Sequence, residues 1–198
     1  MLIFEGCEPL DVFGPVEVFV AARYPHQEEP PHPFSVVTVA EEKDPLALRG
    51  GIRVVPDYTF HDSPPLNVLL VPGGPGTRIQ YRNQALLCFI RAQAGHADIV
   101  ASICTGAALV GAAGLLDGMA ATTNRRSFSW VESVVPNAVW DPRARFVDNG
   151  RIVTSAGISA GIDMALHLVE RLLGQEAAEA AAHRMEYTWV RGSAPPTA

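Results

Sequence analysis

The sequence predicts an α/β fold built on a mostly parallel sheet with helices on both faces, and three observations carry that prediction. Residues 66–71 and 97–103 are short, continuous apolar runs, the pattern of strands covered on both sides. Each run ends in small residues, Pro72-Gly73-Gly74-Pro75-Gly76 after the first and Cys104-Thr105-Gly106-Ala107 after the second. Each is then followed by helical periodicity. Strand, glycine loop, helix, strand, sharp turn, helix is the alternation of an α/β sheet, whose ligands sit at the carboxyl ends of the strands.

In chain order, Met1-Leu2-Ile3-Phe4 reads as the tail of a first strand, short for one inside a sheet. Residues missing upstream would account for so short a strand; taken as it stands, the stub is expected to cost the sheet central pairing. Pro9 pre-sets the first turn of a helix whose Leu10, Phe13, Val16 and Phe19 or Val20 recur at helical spacing. Pro15 lacks an N–H and disfavours helical geometry at Gly14, so Gly14-Pro15 predicts two short helices joined at a kink. Asp11, one turn into this helix, can face the carboxyl edge of the sheet. From spacing alone it is better explained as an ordinary first-turn acid, favourable with the helix dipole and solvated.

Residues 24–33, rich in Pro, Glu and His, read as a surface loop, and residues 34–39 as a strand. Gly50-Gly51 between two short apolar runs over residues 46–55 predicts a small antiparallel hairpin. The glycine loop after residues 66–71 lacks the Lys-Ser/Thr of a phosphate-binding loop. Beside a nucleophile on the next strand, however, its backbone N–H groups suit an oxyanion. Residues 83–94 cross over as a helix through Leu86, Leu87, Phe89 and Ile90. A short strand over residues 120–123 ends at Asn124, and residues 127–134 form a helix. Strands follow at 139–140, 145–147 and 151–154, with Asp148-Asn149-Gly150 turning between the last two. The small-residue turn from Ser155 to Asp163 opens a helix running through Leu172. An Ala-rich helix over residues 175–187 comes last, and its Glu176, Glu179 and Arg184 form a solvated face.

The chemistry centres on Cys104. Free Cys is among the most buried residue types, so a lone Cys after an apolar strand is by composition inert packing. The following Thr105-Gly106-Ala107 reverses that reading, because a core Cys has no need of a tight elbow opening a helix. The helix also directs free N–H groups and its positive end at the sulfur, an arrangement expected to favour thiolate.

Composition removes other classes. With 198 residues the chain is expected to form one domain spanning 1–198 with a real core. A formal charge of −6 without a Lys/Arg cluster argues against a nucleic-acid surface. No apolar run reaches the length of a bilayer span, and the start lacks a secretion-signal pattern. Cys7, Cys88 and Cys104 are odd in number and lack C-x-x-C spacing, which signals neither a disulfide framework nor a metal site. A reducing cytoplasm is the expected location.

The chain resembles the ThiJ/PfpI superfamily, and within it the isonitrile hydratase-like branch. The segments carrying the resemblance are residues 10–19, residues 71–76, Ile103-Cys104-Thr105-Gly106-Ala107, residues 114–118 with Ala121-Thr122-Thr123-Asn124, and residues 154–163. The resemblance implies the class I glutamine amidotransferase-like fold, a flavodoxin-like three-layer sandwich with its nucleophile elbow at Cys104. It also implies Cys104 as nucleophile, Asp11 as the acid approaching its sulfur, Gly74 and Thr105 N–H groups as oxyanion donors, and Gly73 and Asn124 in the substrate pocket. It further implies a small-molecule substrate, no cofactor, and a homodimer to which exposed apolar residues of the first helices contribute. Thr105 stands where protease-like and glyoxalase-like branches place His, which removes the adjacent imidazole. Asn124 stands where many hydratase-like sequences place His, and it cannot shuttle protons near neutral pH.

Other polar residues have structural explanations. Glu17 falls on a different helix face from Asp11 and suits pairing. Asn124 serves equally as a loop cap, and Ser155 and Ser159 bond their own turn or cap the next helix. His167 and His183 lack ligand spacing. Three functions stay open: a cofactor-free hydratase, a glyoxalase or deglycase disfavoured by Thr105, and a ligand- or redox-sensing module using the same thiol. Relatives of the domain occur fused to helix-turn-helix domains; with roughly ten residues after the last helix, none is expected in cis here.

Overall fold

The computed structural model describes residues 1–25 and 32–192. The middle of the loop expected over residues 24–33 lies outside the described residues. In chain order the first elements are α1 (Pro9–Ala21), β1 (Val39–Ala40), β2 (Leu46–Ala47), β3 (Arg53–Val54), β4 (Tyr58–Thr59), β5 (Val68–Val71), α2 (Thr77–Gln80) and α3 (Gln84–Ala94). They are followed by β6 (Ile99–Ile103), α4 (Gly106–Ala112), β7 (Ala120–Ala121), a 3-10 turn (Arg125–Ser127), α5 (Phe128–Val134) and β8 (Val139–Trp140). Last come β9 (Phe146–Asp148), β10 (Ile152–Ser155), α6 (Ala160–Leu173) and α7 (Gln175–Arg184).

The fold is the expected α/β one. β6, buried along its whole length, lies between β5 and β10 and pairs with both in parallel. β9 closes that edge antiparallel to β10. Beyond β5, the Leu2 N–H donates to the Leu70 carbonyl at 2.9 Å, and Leu2 bridges Val39 of β1, which pairs in parallel with β4. Met1, Leu2, Ile3 and Phe4 are therefore buried inside the sheet. Helices α1, α6 and α7 pack together on one side, and α3 and α5 pack around α4 on the other. Burying aliphatic side chains on both faces, at about 1.5–3 kcal/mol each, explains why residues as apolar as Ile99, Val100 and Ile103 occupy the centre.

Three expectations are corrected. First, α1 runs through Pro15 as one helix. Pro15 cannot donate to the Asp11 carbonyl, but Gly14 and Pro15 are buried, and a Cβ on Gly14 would stand 2.9 Å from Ile162 of α6. Packing against α6 outweighs the local break. Second, of residues 34–39 only Val39 joins a strand, which continues to Ala40, because the ladder partners Tyr58 and Thr59 reach no further. Third, α2 was not expected; it grows from the glycine loop, with Thr77 N–H on the Gly74 carbonyl at 3.1 Å. The Gly50-Gly51 hairpin is present as β2 and β3, both glycines having φ near +87°, a region glycine enters without Cβ strain.

Candidate active site

The carboxyl ends of β5 and β6 place two turns side by side. Cys104 leaves β6 with φ 57°, a left-handed conformation uncommon for a side-chain-bearing residue. The surroundings hold it there. Its N–H donates to the Ser155 and Ala156 carbonyls at 3.1 and 3.3 Å, and its carbonyl accepts from Thr123 Oγ1 at 2.7 Å. Gly106 makes the elbow possible, since a Cβ there would collide with the Val71 and Pro72 carbonyls.

Asp11 comes to the same place from α1. It is fully buried, and its Oδ2 accepts the Gly73 N–H at 3.0 Å. Gly73 must lack a side chain, because a Cβ would stand 2.5 Å from Thr105 N and 2.9 Å from Asp11 Oδ2. The Asp11 carboxyl lies beside the Cys104 sulfur. Its other oxygen, Oδ1, is buried without a well-formed hydrogen bond.

Burial pushes the Asp11 carboxyl up to about 7, against the opposing pull of the Gly73 N–H and the Cys104 thiol. Burial first, and the Asp11 charge second, push the Cys104 thiol up to about 12, while the Thr105 N–H and Asn124 amide favour thiolate. The helix N-terminus expected to yield a thiolate is therefore outweighed by desolvation. The site holds a thiol next to an acid that titrates near neutrality.

The remaining expected residues are also gathered here. The Thr105 N–H reaches the sulfur, whereas the Gly74 N–H donates to Thr105 Oγ1 at 3.0 Å. Thr77 stands 3.0 Å from the same hydroxyl and donates to the Gly74 carbonyl at 2.7 Å. Asn124 does both things weighed for it. Its Oδ1 caps the 3-10 turn by accepting from Arg126 N and Ser127 N at 3.0 and 3.2 Å, and its amide bonds the Cys104 sulfur.

Other residues lie apart. Glu17 is exposed on α1. Ser159 makes no side-chain cap on α6, and Ser155 Oγ reaches the Ser102 carbonyl at 3.4 Å. His167 bonds Asp148 at 2.7 Å, and His183 is exposed on α7. Among the described residues no group of three or more His, Cys, Asp or Glu could hold a metal ion. No helix among them is long and apolar enough to cross a membrane.

Two features escaped sequence reasoning. Gly157 presses on the site so closely that a Cβ would overlap the Asn124 amide and stand 3.0 Å from the Cys104 sulfur. Arg49, at the tip of the β2–β3 hairpin, bonds Glu8 at 2.6 Å and is near enough for its charge to act on Cys104. The small-residue turn signalled the first; nothing in the local sequence signalled the second.

Residues 1–171 match the family model described as DJ-1/PfpI family. The chain is 36% identical over 195 residues to an isonitrile hydratase from Pseudomonas putida, covering 98% of this chain and 78% of that protein. It is 28% identical over 141 residues to the HTH-type transcriptional regulator GbdR from Pseudomonas aeruginosa (strain UCBPP-PA14), covering 71% of this chain and 38% of the regulator. Among solved structures, a ThiJ/PfpI family protein from Pseudomonas syringae superposes with a TM-score of 0.82 at 29% identity, covering 100% of this chain and 77% of that one.

Proposed function

The chain belongs to the DJ-1/PfpI family, and from that premise we propose that it is a cofactor-free, cysteine-dependent hydratase converting an isonitrile and water to an N-substituted formamide. The similarity to the Pseudomonas putida enzyme supports this reading. The observation that carries it is the buried Asp11 carboxyl beside the Cys104 sulfur. An acid titrating near 7 can both give and take a proton at neutral pH.

Cys104 Sγ bonds to the terminal carbon of the isonitrile as that carbon gains a proton from Asp11. The thiol proton replaces the one Asp11 gave, so the sum is addition of S–H across the carbon to form a thioimidate. Asp11, protonated again, gives its proton to nitrogen as the water oxygen adds to the same carbon, and takes a proton from that water in exchange. Collapse breaks the C–S bond as the remaining hydroxyl proton passes by way of Asp11 to sulfur, releasing the formamide and restoring the thiol. The Thr105 N–H serves charge developing near the sulfur. The Gly74 N–H joins it only when the Thr105 hydroxyl that now engages it turns away. Gly73 and Asn124 line the substrate side.

In this reading the chain works as one domain spanning 1–198, in the cytoplasm, without metal or other cofactor. It is a homodimer joined partly through Leu10, Phe13 and Val20 of α1, which are 44%, 42% and 41% exposed. Leu10→Asp with Phe13→Asp should halve the mass measured by light scattering, and a monomeric wild type would remove the dimer.

The test of the chemistry is formamide production from a panel of alkyl and aryl isonitriles, with Cys104→Ala as control. Turnover lost in the variant supports the hydratase, and no turnover with any isonitrile removes it. The similarity to the regulator's domain favours a second reading, a ligand- or redox-sensing module. Selective oxidation of Cys104 by peroxide, without isonitrile turnover, would support that one. A glyoxalase reading lacks the imidazole that Thr105 replaces.

A further inference from the structure

We infer that Asp163 is a positioning residue for the Cys104 site, acting through Arg145 to join the carboxyl-terminal segment to the turn that covers the sulfur. Asp163 lies on α6 and is fully buried, and both of its carboxylate oxygens are committed. Oδ2 accepts from Arg145 Nε at 2.5 Å and pairs with Nη2, while Oδ1 accepts the Val190 N–H at 2.8 Å. One buried group therefore binds two segments far apart in sequence.

Arg145 carries the link to the site. Its carbonyl accepts the Ala156 N–H at 2.9 Å, and its Nη2 reaches Ser159 Oγ at 3.5 Å. Those two bonds bracket the turn between β10 and α6. The same turn touches the nucleophile, since the Ser155 and Ala156 carbonyls hold the Cys104 N–H and Gly157 lies against the sulfur. Displacing the turn outward would wet the sulfur.

The carboxyl-terminal segment is latched at the other end. Trp189 Nε1 donates to the Asp163 carbonyl at 3.2 Å, and the Arg191 guanidinium covers the Trp189 ring at 4.2 Å. Tyr187 interacts with both Asp163 and Arg145. A buried ion pair is no better for stability than apolar packing, but its hydrogen bonds have direction. Here they set the height of a turn over a thiol.

The consequence for turnover rests on the hydratase reading, but the test does not. The rate at which iodoacetamide alkylates Cys104 is measured against pH by peptide mass, with exposed Cys88 as reference, in Asp163→Asn, Arg145→Lys and Val190→Pro. The last removes the N–H that Asp163 accepts and leaves the Asp163 and Arg145 side chains in place. The Cys104/Cys88 rate ratio near neutral pH should rise about tenfold in Asp163→Asn, equivalent to lowering the thiol pKa by about one unit. It should rise about threefold in the other two, with the alkylation midpoint moving to lower pH.

A wild-type ratio in Asp163→Asn or Arg145→Lys, even with a lowered melting temperature, overturns the positioning role. A wild-type ratio in Val190→Pro overturns the link to the carboxyl-terminal segment. If Asp163→Asn does not fold, the other two variants, which keep the buried carboxylate, decide. A wild type that turns over no isonitrile defeats the hydratase reading and leaves this ratio unaffected.

Discussion

Replacing Asp11 by Asn should stabilise the protein while removing the proposed proton transfer, and the gain should depend on pH. Burial raises the folded carboxyl from 3.8 to about 7, a difference of about 3 pKa units, equivalent to about 4 kcal/mol. The sign follows from where each state loses its proton. The unfolded chain releases it near 3.8 and the folded chain near 7, so in between the folded state holds more protons. The carboxyl's contribution is therefore full below the unfolded value and is lost as pH rises through the folded one. Asn does not titrate, and its oxygen can keep the bond now made by the Gly73 N–H at 3.0 Å.

Relative to the wild type, Asp11→Asn should be near-equal in stability around pH 4 and more stable by about 2–4 kcal/mol around pH 9. Guanidinium unfolding across that range measures the difference, and each kcal/mol should also appear as about 2–4 °C in the melting temperature. Formamide production should fall about 100-fold or more, the usual share of a proton-transfer group. A stability difference that does not change with pH, or a variant less stable than the wild type at the alkaline end, would refute the argument that Asp11 is held ionisable at the expense of the fold.

Three further outcomes are expected. Gly157→Ala places a Cβ against the Asn124 amide and the Cys104 sulfur, so kcat/KM for an isonitrile should fall at least about tenfold, with overpacking costing about 1–3 kcal/mol in a urea melt. Asn124→Ala removes a donor to the sulfur and a cap, so the alkylation midpoint of Cys104 should move to higher pH and stability should drop by about 1 kcal/mol. Thr105→Val strips the acceptor from the Gly74 N–H, which should cost about 1–3 kcal/mol by chemical denaturation.

Local patterning made much of the molecule legible. The Cys104 elbow was readable because a continuous apolar strand followed by Thr-Gly-Ala has few other uses, and the Gly50-Gly51 hairpin because its turn chemistry is local. Asp11 was readable only through family resemblance. Its spacing suited an ordinary first-turn acid, and nothing along the chain records that the Gly73 loop and Cys104 close over it. Pro15 misled for a related reason, since a break read from backbone chemistry is outweighed by the face α1 presents to α6. Ser159 likewise looked like a cap, whereas its hydroxyl meets Arg145, the residue that precedes β9.

The sequence by itself determined the alternation of strands and helices, the central place of residues 99–103 and the turn that mounts the sulfur, because periodicity and small-residue turns act between near neighbours. Only the tertiary structure decided the protonation of the site. Whether Cys104 is a thiol or a thiolate depends on how much water is excluded around it and on a carboxyl that lies 93 residues away along the chain. Desolvation and charge act through space, and burial outweighs the helix end that the local sequence sets beside the sulfur.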